Sequence, residues 1–537
     1  MLFRSDTSVS ASFARTNPSD AGDGARAGSV SVQMGDLGWE VDRTRSRIDP
    51  EWRWIDGPSP YDPSSYTLSP TLTQNSVRRW ANNVLTNLSA RYAPPTPFPS
   101  AIKAGARFRR QEVHETTRAN TLNYVGAAPF LTNFNTSAFR TTFGERMGRD
   151  FPWPDPAEVG ASVVSRPALW SANTYSFWQR YYQGTRQAEE GVDAGYLQGE
   201  AELGRLRLLA GVRREETGVI SAGYVQSRTL TTTAQRNADP VGSAQRDYGN
   251  WRRTTGGYGD WFPSAHATLR LAGNLRARAA WSTSIGRPAF TDLLPSLAFN
   301  ETAQTVTVNN PSLKPQFARN LDAGLEYYFE PVGTLRAGWF RKSMRDFIVR
   351  GVRTGRVAAG PDNGFGGDFA NFELLTNVNA GDATVNGWEL EYWQQFSFLP
   401  GPLKGLGLQA NFTSLGTQGN YGGATSLASD RVQNFVPHSG TIAVTYNHRG
   451  FNLRVGANYT GVYLHANSTV AASLLFREPR TVLNANLGYY LTRQLSLYCD
   501  LQNLTAEPQL WYRGRHERPG DYNVNTSSIN VGLSGRF

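Results

Sequence analysis

One cysteine, Cys499, stands in 537 residues, so no disulfide can form within the chain. Long apolar runs are missing too. No stretch of about 18 residues is apolar throughout, which excludes a transmembrane helix. Charged residues make up only 18 %. The net charge of +10 is scattered, with no basic run and no nucleic-acid motif, so no nucleic-acid partner is expected. The six histidines form no His-Glu-x-x-His or comparable metal spacing. There is no Gly-x-Ser-x-Gly elbow. Gly364-Phe365-Gly366-Gly367 follows a strand but opens no helix, so it reads as a flexible loop and not a phosphate cradle. Carboxylate pairs such as Glu215-Glu216 or Glu389 and Glu391 are too common to indicate catalysis. No enzyme, metal or cofactor is expected. Met1 to Asp6 carries an early acid and no apolar core of signal-peptide length. An export signal is therefore expected to be missing from this chain.

What is present is alternation. Glycine numbers 53 and aromatics reach 12 %. Leu321, Ala323, Leu325, Tyr327 and Phe329 fall on one face of a strand, and Asn320, Asp322, Gly324, Glu326 and Tyr328 on the other. A period of two separates faces in this way. Glu330-Pro331-Val332-Gly333 is a tight turn. Leu335, Ala337 and Trp339 then resume the apolar side. The same pattern recurs in Ile102–Val113, Gly191–Leu203, Arg205–Glu215, Leu275–Ser284, Phe451–Thr460 and Leu483–Leu491. Cys499 sits in such a strand and reads as a small apolar wall residue. The mean hydropathy of −0.45 suits a soluble protein. It suits a membrane barrel equally, because only every other strand residue meets lipid.

The connections alternate as well, short turn then long loop. Long ones are expected at Thr44–Gln74, Glu115–Glu189, Gly218–Gly259, Gly286–Pro315 and Gly351–Ala380. A soluble sandwich has no reason to place every long loop at one end, whereas a bacterial outer-membrane barrel does. The expected fold is all-β, a transmembrane antiparallel β-barrel with long extracellular loops and short periplasmic turns. The apolar face meets lipid and the polar face lines a wet lumen. About seventeen strands are counted, including Ser8–Ala14 and Ser29–Val41. With the last ending in the periplasm, the first should also run downward. Loop aromatics beside arginines are candidate ligand contacts: Trp170, Trp178, Arg180 and Tyr181 in the longest loop, and Trp511, Tyr512, Arg513 and Arg515 in the last. Such groups stack on sugars, catechols or corrin rings. The plainer role is an interfacial girdle or loop packing.

Several adjacent segments carry a family resemblance. Trp281 to Arg287 and Pro288, then Asn310, Pro311, Ser312, Leu313, Lys314 and Pro315, then Leu321 to Phe329, resemble the central barrel of TonB-dependent outer-membrane receptors. The closing pattern from Tyr522 to Phe537 resembles the last strand of outer-membrane proteins. In that group a terminal aromatic, here Phe537, is read by the barrel assembly machinery. The family has 22 strands around a globular plug. The resemblance covers about three-quarters of a barrel, 16 to 18 of those strands, and no plug. Residues 1–537 are thus expected to be a receptor barrel incomplete at the N-terminus. The resemblance implies energy-dependent uptake of a bulky scarce nutrient, such as an iron chelate, cobalamin or an oligosaccharide. Implied partners are outer-membrane lipid, the extracellular ligand and, if a plug is supplied, the inner-membrane TonB complex. The alternatives are a passive porin-like or structural barrel and a non-functional remnant.

Overall fold

Alternation becomes pairing across the residues that this computed structural model describes, which are 4–16, 29–46, 51–127, 129–136, 151–330, 332–420 and 427–535. Sixteen strands pair antiparallel in chain order. They are β1 (Arg4–Thr16), β2 (Leu68–Ala93), β3 (Ser100–Tyr124), β4 (Arg186–Leu203), β5 (Leu206–Val225), β6 (Asn250–Arg270), β7 (Leu275–Gly286) and β8 (Gln316–Phe329). The second half is β9 (Gly333–Arg345), β10 (Asp382–Gln395), β11 (Leu406–Asn420), β12 (His438–His448), β13 (Phe451–Thr460), β14 (Arg480–Tyr490), β15 (Leu495–Gln502) and β16 (Ser528–Gly535). No helix among the described residues is long and apolar enough to cross a membrane.

One face of this wall is apolar and uncovered. Val212, Trp261, Trp281, Leu321, Leu325, Trp388, Ile442 and Leu497 are all exposed on it. A surface this apolar around a whole sheet is stable only against lipid. Tryptophans mark its upper rim, Trp339 lying directly opposite Trp388. Tyr327, Phe329 and Tyr392 mark the end near the short turns. Such girdles flank the hydrocarbon band of membrane barrels. The short turns are tight. Between β12 and β13, Arg449 (φ 48°) and Gly450 (φ 85°) both take positive φ, the two-residue hairpin whose twist matches its strands.

Three expectations are corrected. Ser29–Val41 is not a barrel strand of its own. Ser29–Gln33 pairs with β2 at residues 68–73, on the same edge where β1 pairs with residues 81–93. It therefore continues the line of β1, while Gly38–Asp42 turns away to pair with Glu51–Asp56. Alternation marks a strand but not its neighbour, so one strand was counted as two. The wall has sixteen strands, an even number. Consequently β1 runs upward and not downward, since Arg4 pairs with Ala93 beside the short β2–β3 turn. β16 runs down to the same end, Gly535 opposite Leu495. Phe537 lies outside the described residues.

The strands also outrun their expected bounds. β2 has 26 residues and β3 has 25, against about ten needed to span a bilayer. Beyond the lipid both faces are wet, so alternation is no longer imposed. The stretch Thr116-Thr117-Arg118-Ala119-Asn120-Thr121 is polar on both sides yet stays in the ladder. Inside the long loops lie α1 (Pro156–Ser165), α2 (Thr174–Gly184), α3 (Thr233–Ala238) and α4 (Pro240–Tyr248). Two four-stranded sheets cap the same end.

Candidate functional site

The long connections fold against one another at the upper end of the wall. The first assembly fills the longest one. Trp170 is pinned here, its Nε1–H donating to Ser162 Oγ at 2.9 Å, within a core of Tyr124, Phe130, Phe134 and Val159. It packs the loop. Trp170–Ala172 pairs with the tip of β3, and β4 resumes that pairing at Arg186. Between them α2 replaces the strand. Asn173 caps it, accepting from Ser176 N–H at 2.9 Å, as N-caps do.

Helix α2 is held by a buried carboxylate. Asp247, at the end of α4, is 1 % exposed. It accepts from the Tyr175 hydroxyl at 2.6 Å and from the Thr231 N–H and hydroxyl, each at 2.8 Å. Burial, followed by the Asp247 bond, raises the Tyr175 pKa far above its usual value. Gln179 donates to the Tyr248 hydroxyl at 2.9 Å. Another side of α2 is aromatic. Ring contacts run Trp178–Tyr181, Trp178–Tyr182, Tyr182–Tyr224 and Tyr224–Trp251, at 5.3, 6.1, 4.9 and 4.7 Å.

The segment from Asn310 to Pro315 is a latch. Leu313 is buried with Val219, Leu293 and Ile348. Asn310 donates to the Asn377 carbonyl at 3.0 Å, and Lys314 N–H donates to Asn379 Oδ1 at 2.8 Å. A Cβ on Gly256 would lie 2.3 Å from the Pro311 carbonyl oxygen, so that approach requires glycine. Arg350 grips the buried Asp292 with two bonds of 2.9 and 2.7 Å. Arg287 bridges Glu215 at 2.7 Å and Glu190 at 3.7 Å on the lumen face, while Glu190 also pairs with Arg109. Pro288 follows it out of β7.

The last two loops build the second assembly, Tyr463–Ala466 and Leu475–Arg477 from the β13–β14 connection and Gln509–Arg513 and Pro519–Asn523 from the β15–β16 connection. Arg477 lies over two rings, 5.6 Å from that of Trp511 and 5.9 Å from that of Tyr463. It donates to the Tyr463 hydroxyl at 3.1 Å, and its buried Nε has no partner. Tyr512 stacks on Phe476 at 5.2 Å. Burial, then the charge of Glu478, raises the Tyr512 pKa. The buried Glu478 faces His516 Nε2 at 3.3 Å. Arg513 and Arg515 are exposed at the rim. No hydrogen bond, ion pair or ring contact among the described residues joins this group to the Trp178 group, so the two sets of candidates are separate places. Tyr463, His465, Arg477 and Glu478 were missed. Their signal was the alternation in Tyr463-Leu464-His465, too short to be read as a strand.

The lumen face is chemically divided. From β2 to β10 it is ionic: Glu115 pairs with Arg79 and Arg186, Arg213 with Glu215 at 2.6 Å, and Arg278 with Glu326 at 2.9 Å. A recess of about 350 Å³ there is lined by His266, Arg278, Asp322, Phe340 and Glu389 over Gly324 and Gly338. From β11 to β16 the register puts Gln409, Asn411, Thr441, Asn458, Asn484 and Ser496 on that face, with Arg454, Arg480 and Asp500 its only charges. Thr441 donates to Asn458 at 2.9 Å and Asn486 to Asp500 at 2.8 Å.

Known proteins agree with this architecture. The family model for the TonB dependent receptor-like β-barrel matches residues 12–504. The ferric citrate transporter FecA in its unliganded form superposes with a TM-score of 0.50 at 11 % identity, over 87 % of this chain and 57 % of that one. The FpvAI–pyocin S2 complex gives 0.52 at 10 % identity, over 99 % and 55 %. At such identities the likeness is one of fold. The chain spans little more than half the length of either structure. No curated protein matches it in sequence. The extent of the family match, with the sixteen-stranded wall beneath it, places this chain in the TonB-dependent receptor family as a membrane-spanning β-barrel.

Proposed function

We propose that residues 1–537 form the barrel portion of an outer-membrane receptor for energy-dependent uptake of a bulky, scarce nutrient such as an iron chelate, cobalamin or an oligosaccharide. The observation that carries this is the one-sided build, with folded loops at one end of a lipid-facing wall and tight turns at the other. On this reading a plug and the TonB complex act with the barrel, and the barrel assembly machinery inserts it. With β1 running up and β16 running down, any strands closing an antiparallel wall between them must be even in number.

Topology tests the reading first. In a Cys499→Ser background, Ala359→Cys should react with an impermeant thiol reagent on intact cells and Val332→Cys should not. The reverse labelling would invert the orientation, and no membrane-bound protein would end the proposal.

The ligand contacts proposed within the last loop are Trp511 and Tyr512, with Arg477 behind them and Arg513 and Arg515 at the rim. Trp511→Ala removes one of the two rings that hold the Arg477 guanidinium, an interaction of about 0.5–2 kcal/mol. Nutrient affinity should fall roughly 2- to 30-fold with barrel abundance unchanged. Equal affinity would remove Trp511 from the site. A passive barrel is the second reading, favoured by the largely uncharged lumen face of β11 to β16. Uptake that persists after an uncoupler collapses the proton gradient would select it.

A further inference from the structure

The ring chain that begins at Trp178 ends on the outward face of the wall. In the uninterrupted ladder of β5 with β6, Tyr224 lies opposite Trp251 and Arg214 opposite Trp261. Even positions of β5 and odd positions of β6 share the face that carries the exposed Val212 and Trp261. Tyr224 and Trp251 are therefore on the lipid side of the wall, extended upward, and Tyr182 joins them from α2 at 4.9 Å. Arg253 is two residues along from Trp251 on the same face. Arg118 is on the corresponding face of β3, in the segment whose neighbouring strand α2 replaces. The side chains of Arg118, Arg180 and Arg253 make no hydrogen bond, ion pair or ring contact among the described residues.

Height selects the occupant. Trp251 is ten residues above Trp261 on β6. At about 3.3 Å per residue and a tilt near 40°, the patch stands roughly 25 Å above the tryptophan rim. An ordinary headgroup layer adds only about 5 to 8 Å per leaflet. A phospholipid cannot reach the patch, whereas a lipid bearing a chain of sugars can. Tyrosine and tryptophan rings offer faces to sugar rings, and free guanidinium groups bind phosphate in two-pronged fashion.

We propose that Trp178, Tyr182, Tyr224 and Trp251, with Arg118, Arg180 and Arg253, form an exterior site for the phosphorylated oligosaccharide headgroup of an outer-leaflet glycolipid. This rests on the outer-membrane reading above. It assigns the aromatic-arginine group of the longest loop to the surrounding membrane and leaves nutrient binding to the last loop. Binding is measured on receptor extracted in detergent from outer membranes, using two probes: lipopolysaccharide with its phosphorylated core sugars, and lipid A without them. The core-bearing glycolipid should bind at least tenfold more tightly. The combined Arg118→Gln, Arg180→Gln and Arg253→Gln variant should erase that difference while remaining heat-modifiable on a gel. Trp251→Ala, which leaves the charges in place, should reduce it. Equal binding of the two probes, or an unchanged ratio in the arginine variant, would overturn the site. So would free core oligosaccharide competing as well as the intact glycolipid, since the site then takes soluble sugar. Recovery of the receptor in the outer membrane reports on the receptor reading, and the ratio between the probes reports on this one.

Discussion

Residues 1–537 expressed without any other barrel strands are expected to accumulate as aggregate and not as a compact, heat-modifiable barrel. β1 pairs on one side only with β2, and β16 on one side only with β15. Among the described residues no pairing joins β1 to β16. These edges have 13 and 8 residues, and alternate residues turn both N–H and C=O outward. Each edge thus presents on the order of ten unpaired groups where hydrocarbon offers none a partner. At a few kcal/mol each, the cost is tens of kcal/mol, beyond the 5–15 kcal/mol or so that holds most folded domains together. Co-expression of a piece supplying an even number of strands should restore the compact band. A compact, heat-modifiable band from residues 1–537 alone, with uptake that an uncoupler abolishes, would show the chain to be a working receptor by itself.

The second large effect is local. Asp247→Ala leaves the hydroxyls of Tyr175 and Thr231 and the Thr231 N–H without their acceptor in a buried place. Stranding such groups costs about 3 kcal/mol or more, or roughly two orders of magnitude in the opening equilibrium. Amide exchange across α2 and α4 should quicken accordingly while β5 and β6 below keep their protection. Asp247→Asn, which retains one carbonyl oxygen, should fall between. Protection unchanged in the alanine variant would show that the helices are held by ring packing instead. The pH dependence has a definite sign. Tyr175 acts in its neutral form and its folded pKa is raised. Its contribution is therefore complete below the ordinary tyrosine range near 10 and disappears only as pH rises through the raised value. Between pH 6 and 9 the lock should not respond.

Where the bilayer dictates side chains, the fold was legible. The β8–β9 hairpin reads directly because Leu321, Leu325 and Leu335 must meet lipid while Glu326 and Arg336 must meet water. Ten residues further up that demand ends. Asn250 to Gly259 carries no alternation, yet it is the upper half of β6, held by its ladder with β5. Neighbour choice was equally hidden, since Ser29–Gln33 reads as a strand but nothing local says that it continues β1. Among the candidate ligand contacts, Trp511 and Tyr512 stand out by residue type. Arg477 and Glu478 do not, because a guanidinium under a ring and a carboxylate beside His516 are products of the folded loop. Trp178 was visible as an aromatic, but the face of its neighbours Tyr224 and Trp251 follows only from the parity of β5 and β6.

The divided lumen has a consequence for anything that moves through it. Along β2 to β10 a polar solute would exchange charge-assisted bonds, worth about 1.5–3 kcal/mol each, and would have to break carboxylate–guanidinium pairs to form them. Along β11 to β16 it trades one amide or hydroxyl for the next, at about 1 kcal/mol apiece, with side chains that can turn to follow it. The first surface is rugged and holds what it binds, whereas the second is smooth. Movement along the wall should therefore be fastest beside Asn411, Thr441, Asn458 and Asn484, and a body lodged against the opposite side would leave that lane as the one of least friction.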